Sequence, residues 1–218
     1  MSRPLAERKT RSESARTARR EEILVAARNV FSRQGFRGTT IADIAEEAGI
    51  ALGTIYLYFA SKEDVFAALN EEFNQLIAHA LTLTDVPPVT SLDQAVRVRV
   101  GQVFEACAEN RDLVRLVVLN TDPDSAATRR MRDADEKRAL PMAQVITDAM
   151  ANGVVRKGDA TIMTKLTVGA VSMTVYQAFV LNDGRDWEKY RDACGDMLVA
   201  YFTPLLGEAA GTGTGSGV

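Results

Sequence analysis

A chain of 218 residues with 46% apolar and 25% charged side chains can bury a sizeable core, as one compact body or two packed domains, which excludes an intrinsically disordered protein. No apolar run approaches the roughly 20 residues of a membrane span, and the N-terminus is basic and polar without the apolar stretch of a signal peptide, so a cytoplasmic protein with no membrane partner is expected. The net charge of −3 argues against nucleic acid only if the charge is spread evenly, and it is not. Residues 1–17 read as a basic, disordered arm: Arg3, Arg8, Lys9, Arg11 and Arg16, followed closely by Arg19 and Arg20, stand against only Glu7 and Glu13. One end of the chain therefore suits phosphates and the remainder does not.

A first helix is predicted from about Ala18 to Gln34, with Ile23, Ala26, Ala27 and Phe31 inward and Gly35 as its stop. Thr40 followed by Asp43 is an N-cap with a capping-box acid, and Ile41, Ile44, Ala45 and Ala48 share one face of the short helix that follows. Gly49 offers a left-handed turn, and Ala51 to Phe59 form another short helix, with Ile50 and Ile55 filling the space between the two. Two short helices meeting tightly through small residues describe a helix-turn-helix, which reads duplex DNA by laying its second helix in the major groove. Ser61 caps a longer helix whose Val65, Phe66, Leu69, Phe73, Leu76, Ile77 and Ala80 form one stripe, a mechanical link to the rest of the chain.

Pro87-Pro88 breaks the pattern, and Ser91 precedes a helix with Leu92, Val96, Val100, Val103 and Cys107 inward. Arg111 to Asn120 is a short apolar helix, Asp122-Pro123-Asp124 a turn, and 125–152 a helix that Pro141 kinks or restarts. After a loop bracketed by Gly153 and Gly158, residues 160–181 show almost no polar face, as a helix buried on several sides must. Residues 186–206 place Trp187, Tyr190, Cys194, Met197, Leu198, Tyr201 and Leu205 at helical spacing, and two such helices from each of two subunits can close a four-helix interface about a two-fold axis. The Gly/Thr/Ser-rich residues 207–218 read as a disordered tail. Cys107 and Cys194 lie far apart without metal-ligand spacing and read as packing residues.

The stretch from Glu22 to Leu69 resembles the DNA-binding domain of the TetR family of bacterial transcriptional regulators. The resemblance is carried by the first-helix residues named above, Gly35-Phe36, Thr39-Thr40, Ile44-Ala45 to Gly49, the run Gly53-Thr54-Ile55-Tyr56-Leu57-Tyr58-Phe59, and Ser61-Lys62-Glu63. It covers under a quarter of the chain in detail. It implies an all-α protein with an N-terminal three-helix DNA-binding domain, placed at 18–62, and a larger helical ligand-binding and dimerisation domain, placed at 63–206. It also implies a homodimer, a double-stranded operator as partner, and relief of repression when an effector changes the spacing of the two recognition helices. No cofactor and no metal are expected.

Within that frame Thr40, at a helix N-terminus, is expected to hold a phosphate. Tyr56 and Tyr58 carry hydroxyls where core packing is served better by phenylalanine, and Lys62 offers a point charge to the DNA backbone. Base reading falls to Ala51, Leu52, Gly53 and Thr54. Leu52 departs from the family pattern, which often has a polar or basic side chain there, so contacts are expected with thymine methyls, supplemented by Arg37 or the arm and by DNA shape. For a hydrophobic effector the candidates are Phe73 and Ile77 on the linking helix, Phe104, Leu116, Met142, Ile146 and Met150, and then Met173, Tyr176 and Phe179. Arg129, Arg130, Arg132, Lys137 and Arg138 suit an anionic ligand such as an acyl thioester, but alternate with Asp133, Asp135 and Glu136 as a solvated face does.

An enzyme is not expected. The single histidine, His79, has no Glu-x-x-His partner, and there is neither a Gly-rich phosphate loop nor a Gly-x-Ser-x-Gly elbow. A ligand-independent DNA binder and an activator remain the competing readings, because sequence does not set the sign of regulation.

Overall fold

The computed structural model describes residues 5–81, 91–120 and 141–204, and every regular element among them is helical, as the all-α expectation requires. In chain order these are α1 (Leu5–Gly38), α2 (Ile41–Glu47), α3 (Leu52–Ile55), α4 (Lys62–Leu81), α5 (Leu92–Glu109), α6 (Arg111–Asn120), α7 (141–151), α8 (Ala160–Val175), a π-helical segment (Tyr176–Leu181) and α9 (Trp187–Phe202). No helix among the described residues is long and apolar enough to cross a membrane. The predicted break at Pro87-Pro88, the turn at Asp122-Pro123-Asp124, the helix over 125–140 with its arginine and lysine cluster, Leu205 and the tail at 207–218 lie outside the described residues.

The chain forms two compact units, one comprising the residues up to Gln75 together with Asp112–Asn120, the other Leu76–Arg111 and the described residues from 141 onward. In the first, α1 is broken at Gly35, whose φ of 73° and ψ of 163° are outside helical geometry and available to glycine without a Cβ penalty. The arm expected to be disordered over 1–17 is instead helical from Leu5 on. From Leu5 to Gln34 no glycine or proline interrupts a run rich in Ala, Arg and Glu, which are good helix formers.

Ile23, Ala27 and Phe31 of α1 pack with Ile44 and Ala45 of α2, Ile55 of α3, Phe59, and Val65, Phe66 and Leu69 of α4. Phe31, Phe36 and Phe66 interleave with ring centroids 5.0 to 6.4 Å apart. Helices of 7 and 4 residues fall far below the ~12–15 at which isolated helices persist in water. Burial must therefore hold them, and each fully buried Ile, Leu or Phe contributes about 1.5–3 kcal/mol. Leu113, Leu116 and Val117 join this core, so a segment of α6 and most of α4 pack with the N-terminal helices, where the sequence reading divides the chain after Lys62. Across the exposed edge of the α1–α2 seam, Arg33 pairs with Glu47 at 2.6 Å and Asn29 donates to the same carboxylate at 3.2 Å, which holds Glu47 below its ordinary pKa.

In the second unit α5 and α9 lie along one another, tied at one edge by Arg97, which reaches Asp93 at 2.9 Å and Asp196 at 2.7 Å. Ser91 caps α5 as predicted, and Asp159 caps α8 by accepting from the Ile162 amide at 3.0 Å. One face of α8 is buried through Met163, Thr164, Thr167 and Val175, the two threonine hydroxyls donating to carbonyls one turn back at 2.8 Å. The opposite stripe, Ile162, Leu166 and Met173, is more than half exposed. The expectation of burial on several sides is thus met on one side only within a single chain. At Tyr176 the helix widens to π geometry, which turns the consecutive residues Ala178, Phe179 and Val180 all toward the core.

Both cysteines are free and buried, and burial pushes the Cys107 thiol up to about 12. At pH 8 the native protein is expected to leave Cys107 unmodified by a thiol-reactive disulfide reagent. Titration with that reagent before and after denaturation checks this, and rapid native labelling of Cys107 overturns it.

Candidate nucleic-acid interface

The helix-turn-helix is assembled by local hydrogen bonding that the sequence encodes residue by residue. Thr40 closes a full capping box: its oxygen accepts from the Asp43 amide at 3.2 Å, and its own amide donates to the Asp43 carboxylate at 2.8 Å. That amide, followed by the Thr40 and Gln34 side chains, holds the Asp43 carboxyl below its ordinary pKa. The cap is therefore complete at neutral pH and is lost only as acid protonates Asp43. At the other end of α2 the Ile50 amide donates to Ala45 O and the Gly49 amide to Glu46 O, both at 3.0 Å, while Gly49 takes a φ of 65°. This Schellman pair turns the chain sharply and drops Ile50 against the core.

The second helix is shorter than expected. Regular α geometry covers Leu52–Ile55, and turns carry the chain on to Phe59 through bonds from the Leu57 amide to Thr54 O and from the Phe59 amide to Ile55 O. Ile55 anchors it, being fully buried, whereas Ala51, Leu52, Gly53, Tyr56 and Leu57 face solvent and Thr54 is half-buried. Its outward face thus carries methyl groups, a bare backbone and one phenol, with no charged or amide side chain. A Cβ added at Gly53 meets nothing within 4 Å. Leu57, given no role by the sequence reading, is 70% exposed here. The signal was in the run Ile55-Tyr56-Leu57-Tyr58-Phe59, which holds more apolar side chains than one side of so short an element can bury.

Tyr56 is exposed, but Tyr58 does not stand free: its ring packs on the core, with the Arg16 guanidinium 6.0 Å from its centroid. Arg20 lies 5.2 Å over the Phe59 ring, so with Arg16 it sets the N-terminal half of α1 beside the end of the second short helix. Thr40 and Arg37 are exposed. Lys62 differs from expectation. Its ammonium is not directed outward but donates to Thr39 O at 2.8 Å and Phe36 O at 3.1 Å, because the first turn of α4 lies against the α1–α2 loop.

Of the effector candidates, Phe104 and Phe179 come together, with centroids 6.1 Å apart, and both stack near Trp187 at 6.5 and 6.1 Å. Trp187 was read only as part of the α9 stripe. Ile146 is buried, while Met142, Met150, Tyr176 and Ile77 are half-buried. Three candidates are corrected by the fold. Leu116 belongs to the core cluster of the first unit, Phe73 is partly buried against that cluster, and Met173 is 58% exposed because it sits on the outward stripe of α8. His79 is exposed.

Residues 23–69, from the first core isoleucine of α1 to Leu69 of α4, match the family described as bacterial regulatory proteins, tetR family. Over these residues the chain is similar to that family. The chain is 26% identical over 165 residues to the fatty acid metabolism regulator protein of Bacillus subtilis (strain 168), spanning 74% of this chain and 84% of that protein. It is 45% identical over 56 residues to the HTH-type transcriptional repressor KstR2 of Mycobacterium tuberculosis, spanning 26% of this chain and 28% of the repressor. Its fold is that of the transcriptional regulator FadR from Bacillus subtilis in complex with stearoyl-CoA, with a TM-score of 0.71 at 22% identity over 84% of this chain and 98% of that one. The relatives named are transcriptional regulators.

Proposed function

We propose that the protein is a ligand-responsive repressor that binds a palindromic operator as a homodimer and is released by a hydrophobic small molecule. The observation that carries this is the outward side of α3 and the turn after it, where Leu52 and Tyr56 stand exposed on a helix-turn-helix anchored by the buried Ile44, Ala45 and Ile55. Residues 18–62 serve the DNA and 63–206 serve dimerisation and the effector. In the first group Ala51, Leu52, Gly53 and Thr54 meet base edges, with Tyr56, Tyr58, Thr40 and Arg37 at the flanking backbone.

The second subunit is supported by the outward stripe of Ile162, Leu166 and Met173 on α8, and by the exposure of Met197 on the packed neighbour α9. Apolar side chains repeated along one helix face are what a four-helix interface buries. Two subunits present two recognition helices to major-groove faces roughly 34–36 Å apart, and an effector that favours a different spacing releases the operator through its differential affinity for that state. The effector class is supported by the Phe104–Phe179–Trp187 cluster and by similarity to a regulator solved with stearoyl-CoA. A long-chain acyl thioester is accordingly the first candidate.

The test is fluorescence anisotropy on DNA upstream of the protein's own gene, across salt, with an unrelated duplex as competitor. The expected result is specific binding of two chains per site, falling steeply with salt, and release by stearoyl-CoA or another acyl-CoA. Failure to prefer any fragment in a genome-wide binding selection rejects the regulator; specific binding untouched by any acyl-CoA rejects that effector class.

A further inference from the structure

Lys62 occupies the first position of α4, the positive end of the helix dipole, where a cation gains nothing from its own helix. Its side chain turns away from that end and crosses to the loop between α1 and α2. There Nζ lies 2.8 Å from Thr39 O, 3.1 Å from Phe36 O and 3.5 Å from Arg37 O, and 4.9 Å from the centre of the Phe36 ring.

The loop it gathers is the one that presents Arg37 and Thr40. Gly35 breaks α1 at its start, the buried Thr39 hydroxyl donates to Gly35 O at 2.8 Å, and Thr40 begins the capping box of α2. Phe36 O accepts only a long bond from the Thr39 amide, at 3.4 Å, and an ammonium is the side chain that can reach several carbonyls of such a turn at once, since it carries three donors and no acceptor. Two of those donors are thereby engaged within the protein at ordinary hydrogen-bond distance, and the third is aimed at Arg37 O.

We propose that Lys62 is a positioning residue for DNA binding: it holds the Phe36–Thr39 turn so that Arg37 and Thr40 face the DNA backbone, and it does not itself contact a phosphate. The proposal rests on the DNA-binding reading above. It also gives α4 a direct hold on the DNA-facing turn. A shift at the start of α4 withdraws the ammonium from its carbonyls and loosens Arg37 and Thr40 together.

A double-mutant cycle of Lys62→Met with Arg37→Ala tests this. Affinity for the operator is measured across salt and corrected to the folded fraction by circular dichroism. Lys62→Met alone is expected to weaken binding about tenfold or more, yet to cost less than about threefold further, with no further fall in salt slope, once Arg37 is already alanine. A lysine on a phosphate gives instead costs that add and a slope that falls by about 0.9 again. Additive costs, or an Arg37→Ala variant that binds normally, overturn the proposal. Should Lys62→Met not fold, the cycle is run with Lys62→Arg, whose planar fork fits the three carbonyls poorly. Non-additive weakening again supports positioning, and full retention of affinity overturns it. Wild-type protein that binds its operator no better than the competitor sinks the DNA-binding reading itself, which is a separate result.

Discussion

Leu166→Glu is expected to give a folded monomer that has lost its operator. In the single chain Leu166 is 55% exposed, between Ile162 and Met173 on the outward side of α8, so a glutamate there meets water and costs the subunit little. In the proposed dimer the same position lies inside an apolar seam. Each leucine- or isoleucine-sized side chain buried there contributes about 1.5–3 kcal/mol, and a carboxylate replaces that gain with the cost of desolvating an unpaired charge. Sedimentation should show one chain where the parent shows two. Operator affinity should fall by about a hundredfold or more, because one half-site contact must then stand alone. An intact dimer with unchanged affinity places the interface elsewhere.

Gly53→Ala is the second large effect, and it should move stability and binding in opposite directions. The residue lies in helical geometry inside α3, where glycine costs about 0.8–1 kcal/mol relative to alanine, and an added Cβ finds open space. Nothing within the chain requires a glycine. If the requirement comes from a groove that α3 must enter closely, the methyl group raises the melting temperature slightly and lowers operator affinity tenfold or more. Differential scanning calorimetry paired with anisotropy reads both, and a variant that is more stable and binds equally well removes Gly53 from the interface.

The helix-turn-helix was legible because its signals are local. Thr40 with Asp43, Gly49 with Ile50, and Ser61 each satisfy a backbone group within a few residues, so their spacing along the chain already states their geometry. The hydrogen bonding of Lys62 is not legible for the converse reason: its partners Phe36 and Thr39 lie 26 and 23 residues away, and no spacing rule reports which way a long side chain turns. The same holds for Leu116, whose apolar stripe looks identical whether it faces a cavity or the core around Ile23 and Leu69. The helical extension before Ala18 is hidden by the charge of a segment whose residues are nonetheless good helix formers.

Trp187 is the chain's one tryptophan, and it lies against Phe104 and Phe179 with the Arg191 guanidinium 5.4 Å from its ring centre. All indole emission from the protein therefore originates in that cluster. A compound that enters among these rings, or draws α5 and α9 apart, alters the polarity around a single emitter and shifts its wavelength or intensity. The protein thus carries its own optical reporter, and candidate effectors can be ranked on unlabelled material before any operator is known.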